Sequence, residues 1–191
     1  MRWRPAVWAA VCALACSPRA PMALAVTPTL EQVVESDEGA HGVGELVAQH
    51  AFTVFVFFSA TCPTVTAHDA RLIALWGAYH PRNVAFYAVA SEADVTLEQL
   101  ANERARRGYP FALLWDRGGR LARQLDVRYA SQAFVFQRDG GVVYAGSIDS
   151  DRRFLHDDAK PYLRDALDAL LDGTAPRAAD TAAYGCALSL P

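Results

Sequence analysis

Residues 52–63 decide the fold of this chain, and they read Phe52-Thr-Val-Phe-Val-Phe-Phe58, Ser59-Ala-Thr61, Cys62 and Pro63. The run before Ser59 is almost entirely apolar and rich in β-branched and aromatic side chains, which predicts a buried strand. Residues 64–79 are amphipathic and predict a helix, with Pro63 at its start, where a missing N–H costs nothing. Cys62 is therefore expected at the positive end of a helix dipole, which favours the thiolate over the thiol. This placement makes Cys62 a candidate nucleophile.

The rest of the chain alternates between predicted strands and helices. We predict further strands at residues 84–90, 111–115, 133–137 and 142–145, and further helices at residues 95–107, 121–125 and 159–171. Asp139-Gly140, between the last two strands, is typical of a hairpin turn. Together these elements predict an α/β fold with a central mixed sheet flanked by helices on both faces. The order, with Cys62 after the first core strand, is that of a thioredoxin-like fold.

The N-terminal residues have the pattern of a secretory signal peptide. Two arginines near the start are followed by an apolar run over residues 6–15 and then by Ala23-Leu-Ala25. This order predicts cleavage after Ala25 and export to the periplasm or the extracellular space. Lipid anchoring at Cys16 is the less favoured alternative, because Ala13-Leu-Ala15 has alanine where lipoprotein signals usually have leucine. Neither this run nor any later segment is long enough to span a bilayer.

Cleavage after Ala25 would change both the charge and the cysteine content. It would remove three arginines and no acidic residue, so the formal net charge would go from −3 to −6. An acidic chain is a poor partner for nucleic acid, and we expect no nucleic-acid partner. Cleavage would also remove Cys12 and Cys16 and leave Cys62 and Cys186. Two cysteines in an exported protein are candidates for pairing.

The sequence divides into four parts. These are the signal peptide at residues 1–25, an N-terminal lead-in at residues 26–44, a thioredoxin-like domain at residues 45–173, and an irregular C-terminal tail at residues 174–191 that carries Cys186. Within the lead-in we expect one helical turn over residues 30–34 and a loop over residues 38–44.

Several segments resemble one family. Phe57-Phe-Ser-Ala-Thr-Cys-Pro63 is similar to the active-site segment of thioredoxin-like and peroxiredoxin-like proteins. The other segments that fit are Gly108-Tyr-Pro-Phe111, Leu114-Trp-Asp116, Ala133-Phe-Val-Phe136, Val143-Tyr-Ala-Gly-Ser-Ile-Asp149, Tyr162-Leu-Arg-Asp-Ala-Leu-Asp-Ala-Leu-Leu-Asp-Gly173 and Thr181-Ala-Ala-Tyr-Gly-Cys186. Over residues 45–188 the chain resembles the redoxin, AhpC/TSA-like group of exported bacterial proteins. The resemblance implies a thioredoxin-like fold and a thiol–disulfide oxidoreductase or peroxiredoxin-like antioxidant activity.

Three features depart from the patterns of these families. Thioredoxins carry a Cys-x-x-Cys pair, but the second position here is Val65, so a local dithiol cannot form. Peroxiredoxins have Pro and Thr before the peroxidatic cysteine, and if that cysteine corresponds to Cys62, this chain has Phe55 and Ser59 at those two positions. If the peroxidatic cysteine corresponds instead to the second thioredoxin cysteine, Val65 stands in its place. Ser131 stands where thioredoxin folds usually have a cis-proline. Because a cis bond before a residue other than proline is costly, we predict a trans peptide there.

The cysteines carry the predicted chemistry. We expect Cys62 to attack a disulfide or a peroxide, Cys186 to be the candidate resolving thiol, and an external thiol reductant to restore the dithiol. Two alternatives stay open: a permanent Cys62–Cys186 bridge that pins the tail, or a Cys186 that is free or pairs between chains. The weaker candidates, for orienting the substrate, are Ser59, Thr61, Pro63 and Ser131. The hydroxyls of Ser59 and Thr61 are equally well explained as caps of the strand end.

Other polar residues are interpreted as structural. His68 is expected to lie well round the helix from the Cys62 face, which argues against direct Cys–His catalysis. A metal site of Cys62, His68 and Cys186 would need closely paired cysteines, and we expect no metal. Asp149-Ser-Asp151 with Asp157-Asp158 fits no calcium loop and predicts a solvated acidic loop. The sequence has no glycine-rich phosphate loop and no paired catalytic carboxylates, so we expect no cofactor.

These observations favour an exported thiol-dependent oxidoreductase whose substrate is a thiol or disulfide protein or a peroxide. The alternative is a redox-silent thioredoxin-fold module for binding or structure, with inert or permanently bridged cysteines. Val65 in the motif and Ser131 in place of proline favour this alternative. The two hypotheses differ in whether Cys62 reacts at neutral pH. The sequence predicts neither the particular substrate nor the oligomeric state.

Overall fold

The structure is a computed structural model and describes residues 30–191. The strands are β1 (Val33–Ser36), β2 (Gly39–Gly42), β3 (Phe52–Phe58), β4 (Val84–Ala90), β5 (Leu113–Trp115), β6 (Ala133–Gln137) and β7 (Val142–Gly146). The helices are α1 (Val43–Ala48), α2 (Pro63–Tyr79), α3 (Leu97–Arg107), α4 (Arg120–Gln124) and α5 (Tyr162–Leu171), with a short 3₁₀ turn at His80–Arg82.

All seven strands form one mixed sheet in the order β2-β1-β5-β4-β3-β6-β7. The central strand β3 runs parallel to β4 and antiparallel to β6, and β4 runs parallel to β5. Parallel neighbours need a crossover connection, and α2 and α3 provide the crossovers from β3 to β4 and from β4 to β5. The carboxyl end of β3 therefore delivers the chain to Cys62 at the start of α2.

Both faces of the sheet are covered by helices, as the sequence predicts. Val54, Val56 and Phe58 of β3 pack with the buried residues of α2, α3 and α5. Phe55 and Phe57 point to the opposite face, because side chains alternate along a strand, and pack with α1 and α4. A strand buried on both faces explains the continuous apolar run. Truncating Phe55 or Phe57 to alanine would cost about 3–5 kcal/mol.

The lead-in differs from its prediction. The structure has the hairpin β1–β2 and the helix α1 where we expected a helical turn and a loop. Val34 is fully buried on the face that holds α1 and α4, and β1 joins the sheet through the pairing of Glu35 with Trp115. The conformation of this segment is determined by its pairing with the edge of the sheet. Its four-residue strands are too short to show the alternation of apolar and polar residues that predicts a strand.

The remaining elements agree with the sequence except at their ends. α3 begins at Leu97, and Thr96 caps it together with Gln99 in a capping box. α5 begins at Tyr162 rather than at residue 159, because Lys160 precedes Pro161 and the residue before a proline avoids the helical region. The predicted signal peptide and the alternative lipid site at Cys16 lie outside the described residues. Within residues 30–191 no helix has the length and apolar character needed to cross a bilayer.

Candidate functional site

Cys62 lies between the central strand and the helix α2. It is the N-cap residue of α2, with extended backbone (φ −77°, ψ 116°), and Pro63 occupies the first turn. Its backbone N–H donates to the Ser59 carbonyl at 3.3 Å, which closes the short loop after β3. The placement of Cys62 at a helix start is therefore confirmed. The side chain has no solvent exposure, which the sequence does not reveal.

The C-terminal tail covers Cys62. The backbone N–H of Cys186 donates to Cys62 Sγ at 3.4 Å, although 124 positions separate the two residues. The tail is held there by main-chain bonds, because Ala130 N–H donates to the Cys186 carbonyl at 2.8 Å and Tyr129 forms an antiparallel bridge with Ala187. Both cysteines are free thiols. The structure thus brings together the two cysteines that the sequence singled out.

The pKa values of the two thiols are shifted in opposite directions. Burial raises the pKa of Cys62, but hydrogen bonds from the Cys186 side chain and from the backbone N–H groups of Val65, Cys186 and Thr64 outweigh burial, so the pKa is lowered. For Cys186, burial and the hydrogen bond to Cys62 raise the pKa to about 11. Cys62 is consequently the thiol that ionises first, and Cys186 keeps its proton.

The loop that precedes β6 contacts both the strand and the tail. Ser131 has a left-handed backbone conformation (φ 71°). The peptide bond before it is trans, since residues 30–191 contain no cis peptide bond. The prediction of a trans peptide at Ser131 is therefore confirmed. Ser131 N–H donates to the Phe57 carbonyl at 2.7 Å, and its hydroxyl donates to the Tyr184 carbonyl at 2.8 Å. Ser131 thus joins the tail to the end of the central strand.

The other weak candidates lie in the loop itself. Ser59 is buried and Thr61 is exposed, and their hydroxyl oxygens are 3.4 Å apart. Pro63 is exposed at the helix start. A cavity of about 510 Å³ opens beside Thr61, and its lining includes Val95, Leu100, Glu92 and the tail residue Ser189. Of the predicted orienting residues, Thr61 alone lines this cavity.

Arg107, the last residue of α3, also contacts the loop, although no pattern in the sequence predicts this contact. Its guanidinium donates to the Ala60 carbonyl at 3.0 Å and to both carboxylate oxygens of Asp69, at 3.0 and 2.8 Å. It also lies over the Phe58 ring, 4.9 Å from the centroid. An arginine near a helix C-terminus usually has no role beyond the helix dipole, so no sequence signal marks this one.

A buried ionic cluster lies further along α2. His68 Nε2 is 3.1 Å from Asp149, and its Nδ1 is 2.8 Å from the Thr64 carbonyl. Both partners accept, so both ring nitrogens donate and the ring is an imidazolium. Arg71 bonds to Asp149 and to Asp151. The prediction of a solvated acidic loop is wrong for Asp149, which is buried because these two cations neutralise it.

The metal site weighed in the sequence analysis is not assembled. His68 is committed to Asp149 and Thr64, as described above. Among residues 30–191, no group of three or more His, Cys, Asp or Glu side chains is arranged to hold a metal ion.

The profile of the AhpC/TSA family matches residues 35–145. Among solved structures, an uncharacterized conserved protein from Geobacillus kaustophilus is 25% identical, with a TM-score of 0.79 over 91% of this chain and 94% of that one. A thioredoxin-like protein from Aeropyrum pernix is 18% identical, with a TM-score of 0.53 over 62% of this chain and 81% of that one. No curated protein matches the chain in sequence.

A further solved structure is the bacterioferritin comigratory protein of Xanthomonas campestris, which has alkyl peroxide reduction activity. It is 19% identical, with a TM-score of 0.54 over 80% of this chain and 94% of that one. At this identity the likeness concerns the fold alone. Together with the sheet order, these neighbours confirm the predicted thioredoxin-like fold.

Proposed function

Because this chain belongs to the AhpC/TSA family, we propose that it is an exported two-thiol oxidoreductase in which Cys62 attacks a disulfide or a peroxide and Cys186 resolves the product. The family supports a redox function with thiol or peroxide substrates. The observation that carries the roles of the cysteines is the 3.4 Å contact between the Cys186 N–H and Cys62 Sγ. Both cysteines are free thiols, so the pair is in the state that can give up two electrons.

With a disulfide substrate, the Cys62 thiolate attacks one sulfur and releases the other as a thiol. Cys186 then attacks Cys62, releases the second substrate thiol and leaves a Cys62–Cys186 disulfide. With a peroxide, the thiolate takes the terminal oxygen and, with one proton from solvent, becomes a sulfenic acid, while an alcohol leaves, or water in the case of hydrogen peroxide. Cys186 condenses with the sulfenic acid and water is lost. In both cases an external dithiol, or two monothiols, returns two electrons and two protons to the bridge and is itself oxidised to a disulfide.

The order of attack follows from the two pKa values. While Cys62 is a thiolate, its hydrogen bond and its charge, together with burial, raise the pKa of Cys186, so Cys186 stays protonated. Once Cys62 is bound to the substrate, that charge is gone and Cys186 loses its proton more easily. Cys62 is therefore the first nucleophile and Cys186 the second.

Access to Cys62 requires a movement of the tail. Cys62 has no exposed surface, and three main-chain contacts hold residues 186–188 against the loop before β6: the Ala130–Cys186 bond, the Tyr129–Ala187 bridge and the bond from Leu188 N–H to the Arg128 carbonyl. The cavity beside Thr61 reaches Ser189 in the tail, so we expect substrate to approach from that side.

A second candidate function is supported by the same burial. A thiol with no exposed surface under a hydrogen-bonded tail is also what a redox-silent binding or structural module would have. In such a module the cysteines pack as small apolar groups or form a permanent bridge. The two functions make opposite predictions for the reaction of the thiols with an oxidant.

The experiment is intact mass spectrometry of the reduced mature protein, residues 26–191, with alkylation of its two cysteines, before and after one equivalent of hydrogen peroxide or of a small disulfide. We expect both alkylation sites to be lost together and a Cys62–Cys186 disulfide to appear in peptide maps. Cys186→Ser should instead stop at a Cys62 sulfenic acid or mixed disulfide, and Cys62→Ser should not react. If both thiols stay unreacted with either oxidant, or if a disulfide is present that mild reductant does not reduce, the proposal is overturned and the redox-silent binding or structural module is supported.

A further inference from the structure

Arg107 is a buried cation, and apart from Glu103 on its own helix its hydrogen-bonded partners lie in the Cys62 loop and in α2. Its side chain is 1% exposed, and Asp69, Glu103, the Ala60 carbonyl and the Thr66 hydroxyl surround it. A buried charge is tolerated only where such partners replace water. The guanidinium accordingly has a defined position, and it fixes its partners in return.

These partners belong to both sides of Cys62. Ala60 lies in the loop before it, whereas Thr66 and Asp69 lie in the first two turns of α2 after it. Thr66 in turn donates to the Cys62 carbonyl, from its backbone N–H at 3.1 Å and from its hydroxyl at 3.3 Å. One guanidinium on α3 therefore links the loop to the helix that begins at Cys62.

The linkage concerns the groups that stabilise the Cys62 thiolate. Cys62 is the N-cap residue of α2, and the N–H groups of Thr64 and Val65, in the first turn between Ala60 and Thr66, help to lower the pKa of its thiol. A change in the position of this loop would move the sulfur relative to those N–H groups, and the effect of a helix N-terminus falls off within its first turn. The position of this loop relative to α2 therefore affects how strongly the Cys62 thiolate is stabilised.

We propose that Arg107 is the positioning residue for Cys62: it clamps the Ala60 carbonyl to Thr66 and Asp69 of α2, and so holds Cys62 in place at the N-terminus of that helix. This inference rests on the proposed function, in which Cys62 is the nucleophile. Arg107 itself bonds to the loop and to α2, and it acts through their geometry. Only a planar fork of N–H donors can reach all of these acceptors at once, and an ammonium cannot.

The test is Arg107→Lys, which keeps the positive charge and loses the fork. The readout is the pH dependence of the alkylation rate of Cys62, followed by peptide mass in the folded, reduced protein. We expect the apparent pKa of Cys62 to rise by about one unit, which lowers the thiolate fraction near neutral pH about tenfold. Because the charge is retained, such a shift reports geometry.

The matched control is Arg106→Lys, on the same helix, where the side chain is exposed and bonds to Glu103. It should leave the alkylation profile unchanged. Asp69→Asn weakens the contact with Arg107 without removing the guanidinium, and it should shift the pH profile of alkylation in the same direction by a smaller amount. This second variant provides the test if Arg107→Lys does not fold. A folded Arg107→Lys or Asp69→Asn protein with the wild-type profile, or an equal shift in Arg106→Lys, would overturn the inference. A wild-type Cys62 that reacts no faster than free cysteine would count against the proposed function alone.

Discussion

Gly185 is the residue that lets the tail lie directly on the loop before β6. A Cβ built on Gly185 would overlap the Ala130 carbonyl oxygen and approach the Ser131 hydroxyl at 3.2 Å. The first of these atoms is backbone, whose position is fixed by the bond from Ala130 N–H to the Cys186 carbonyl. No rotamer change relieves such an overlap, so any side chain at position 185 must move the tail.

Gly185→Ala is therefore expected to uncover Cys62. Overpacking of this kind costs about 1–3 kcal/mol, so the population with the tail displaced should rise by about fivefold to a hundredfold. The measurement is the alkylation rate of Cys62 at fixed pH in the native protein. Gly77→Ala, at an exposed helix position with open space around it, is the control and should leave the rate unchanged. An unchanged rate in Gly185→Ala would mean that the tail does not limit access to Cys62.

At this scale the sequence identifies Cys62 and its candidate partner Cys186 but not Arg107. The helix start at Cys62 is a local property, since strand, loop and helix signals lie within a few residues of each other. The contacts of Cys62 with Cys186, and of the loop with Arg107, arise from packing between distant segments. Cys186 is identified by the cysteine count of the mature chain and by the resemblance of its segment to the family, whereas Arg107 has no local pattern that distinguishes it from an ordinary surface arginine.

At the scale of elements, α2 is joined to the loop after β7 by the contact of His68 with Asp149. Burial lowers the pKa of His68, but the hydrogen bonds to Asp149 and to the Thr64 carbonyl outweigh burial, so the pKa is raised above 6.5. Burial raises the pKa of Asp149, yet the bonds from His68 and Arg71 outweigh it, and the pKa is lowered below 3.8. Both groups therefore favour the folded state in their charged forms.

The pH dependence of stability follows from these directions. The contribution of His68 is complete below about pH 6.5 and is lost as the pH rises through its folded-state pKa, while that of Asp149 is lost on acidification below about pH 3.8. We expect the free energy of unfolding, measured with urea, to fall as the pH rises from 6 to 8. His68→Gln should cost about 2 kcal/mol at pH 6 and should flatten that slope.

His50 provides the comparison, because its ring bonds to Asn83 near the surface. His50→Gln should leave the slope as in the wild-type protein. The hydrogen bond to Asp151 also raises the pKa of His156, but this side chain is exposed, so solvent screening weakens its contribution to the pH dependence. If His68→Gln keeps the full pH dependence of the wild-type protein, the buried pair is not its source.

Most helices and strands could be predicted from the sequence, because a long segment shows its pattern of apolar residues clearly. β3, α2 and β4 have strong apolar patterns, and the turn at Asp139-Gly140 marks the hairpin of β6 and β7. The lead-in could not be predicted, because β1 and β2 are short and their pairing depends on an edge strand far along the chain. Asp149 looked solvated for the same reason: its partners are on α2, outside any local window.

At the scale of the whole molecule, the two cysteines enclose most of the domain. A disulfide across a loop of this length would stabilise the folded state by about 5 kcal/mol in the chain-entropy treatment. We expect the oxidised protein to unfold at higher urea concentration than the reduced protein, with a difference in unfolding free energy of that order. Cys186→Ser, treated with the same oxidant, should show no such rise.

This measurement also tests the geometry of the pair. A rise well below that figure in a protein with a mapped Cys62–Cys186 bridge would indicate that the closed form strains the fold. It would also indicate a bridge that is more easily reduced. Oxidation with no change in stability, and with free thiols by mass, would contradict the pairing itself.

The separation of the two cysteines by 124 positions also has a consequence for biogenesis. No short fragment of the chain contains both thiols, and they meet only after β6, β7 and the tail have taken their places. A nascent or partly folded chain therefore presents Cys62 without its partner, open to disulfide exchange with other proteins in its compartment. Under the proposed function, a Cys62–Cys186 disulfide would form only in chains that have completed folding, so its yield during refolding would report how many molecules reach the native state.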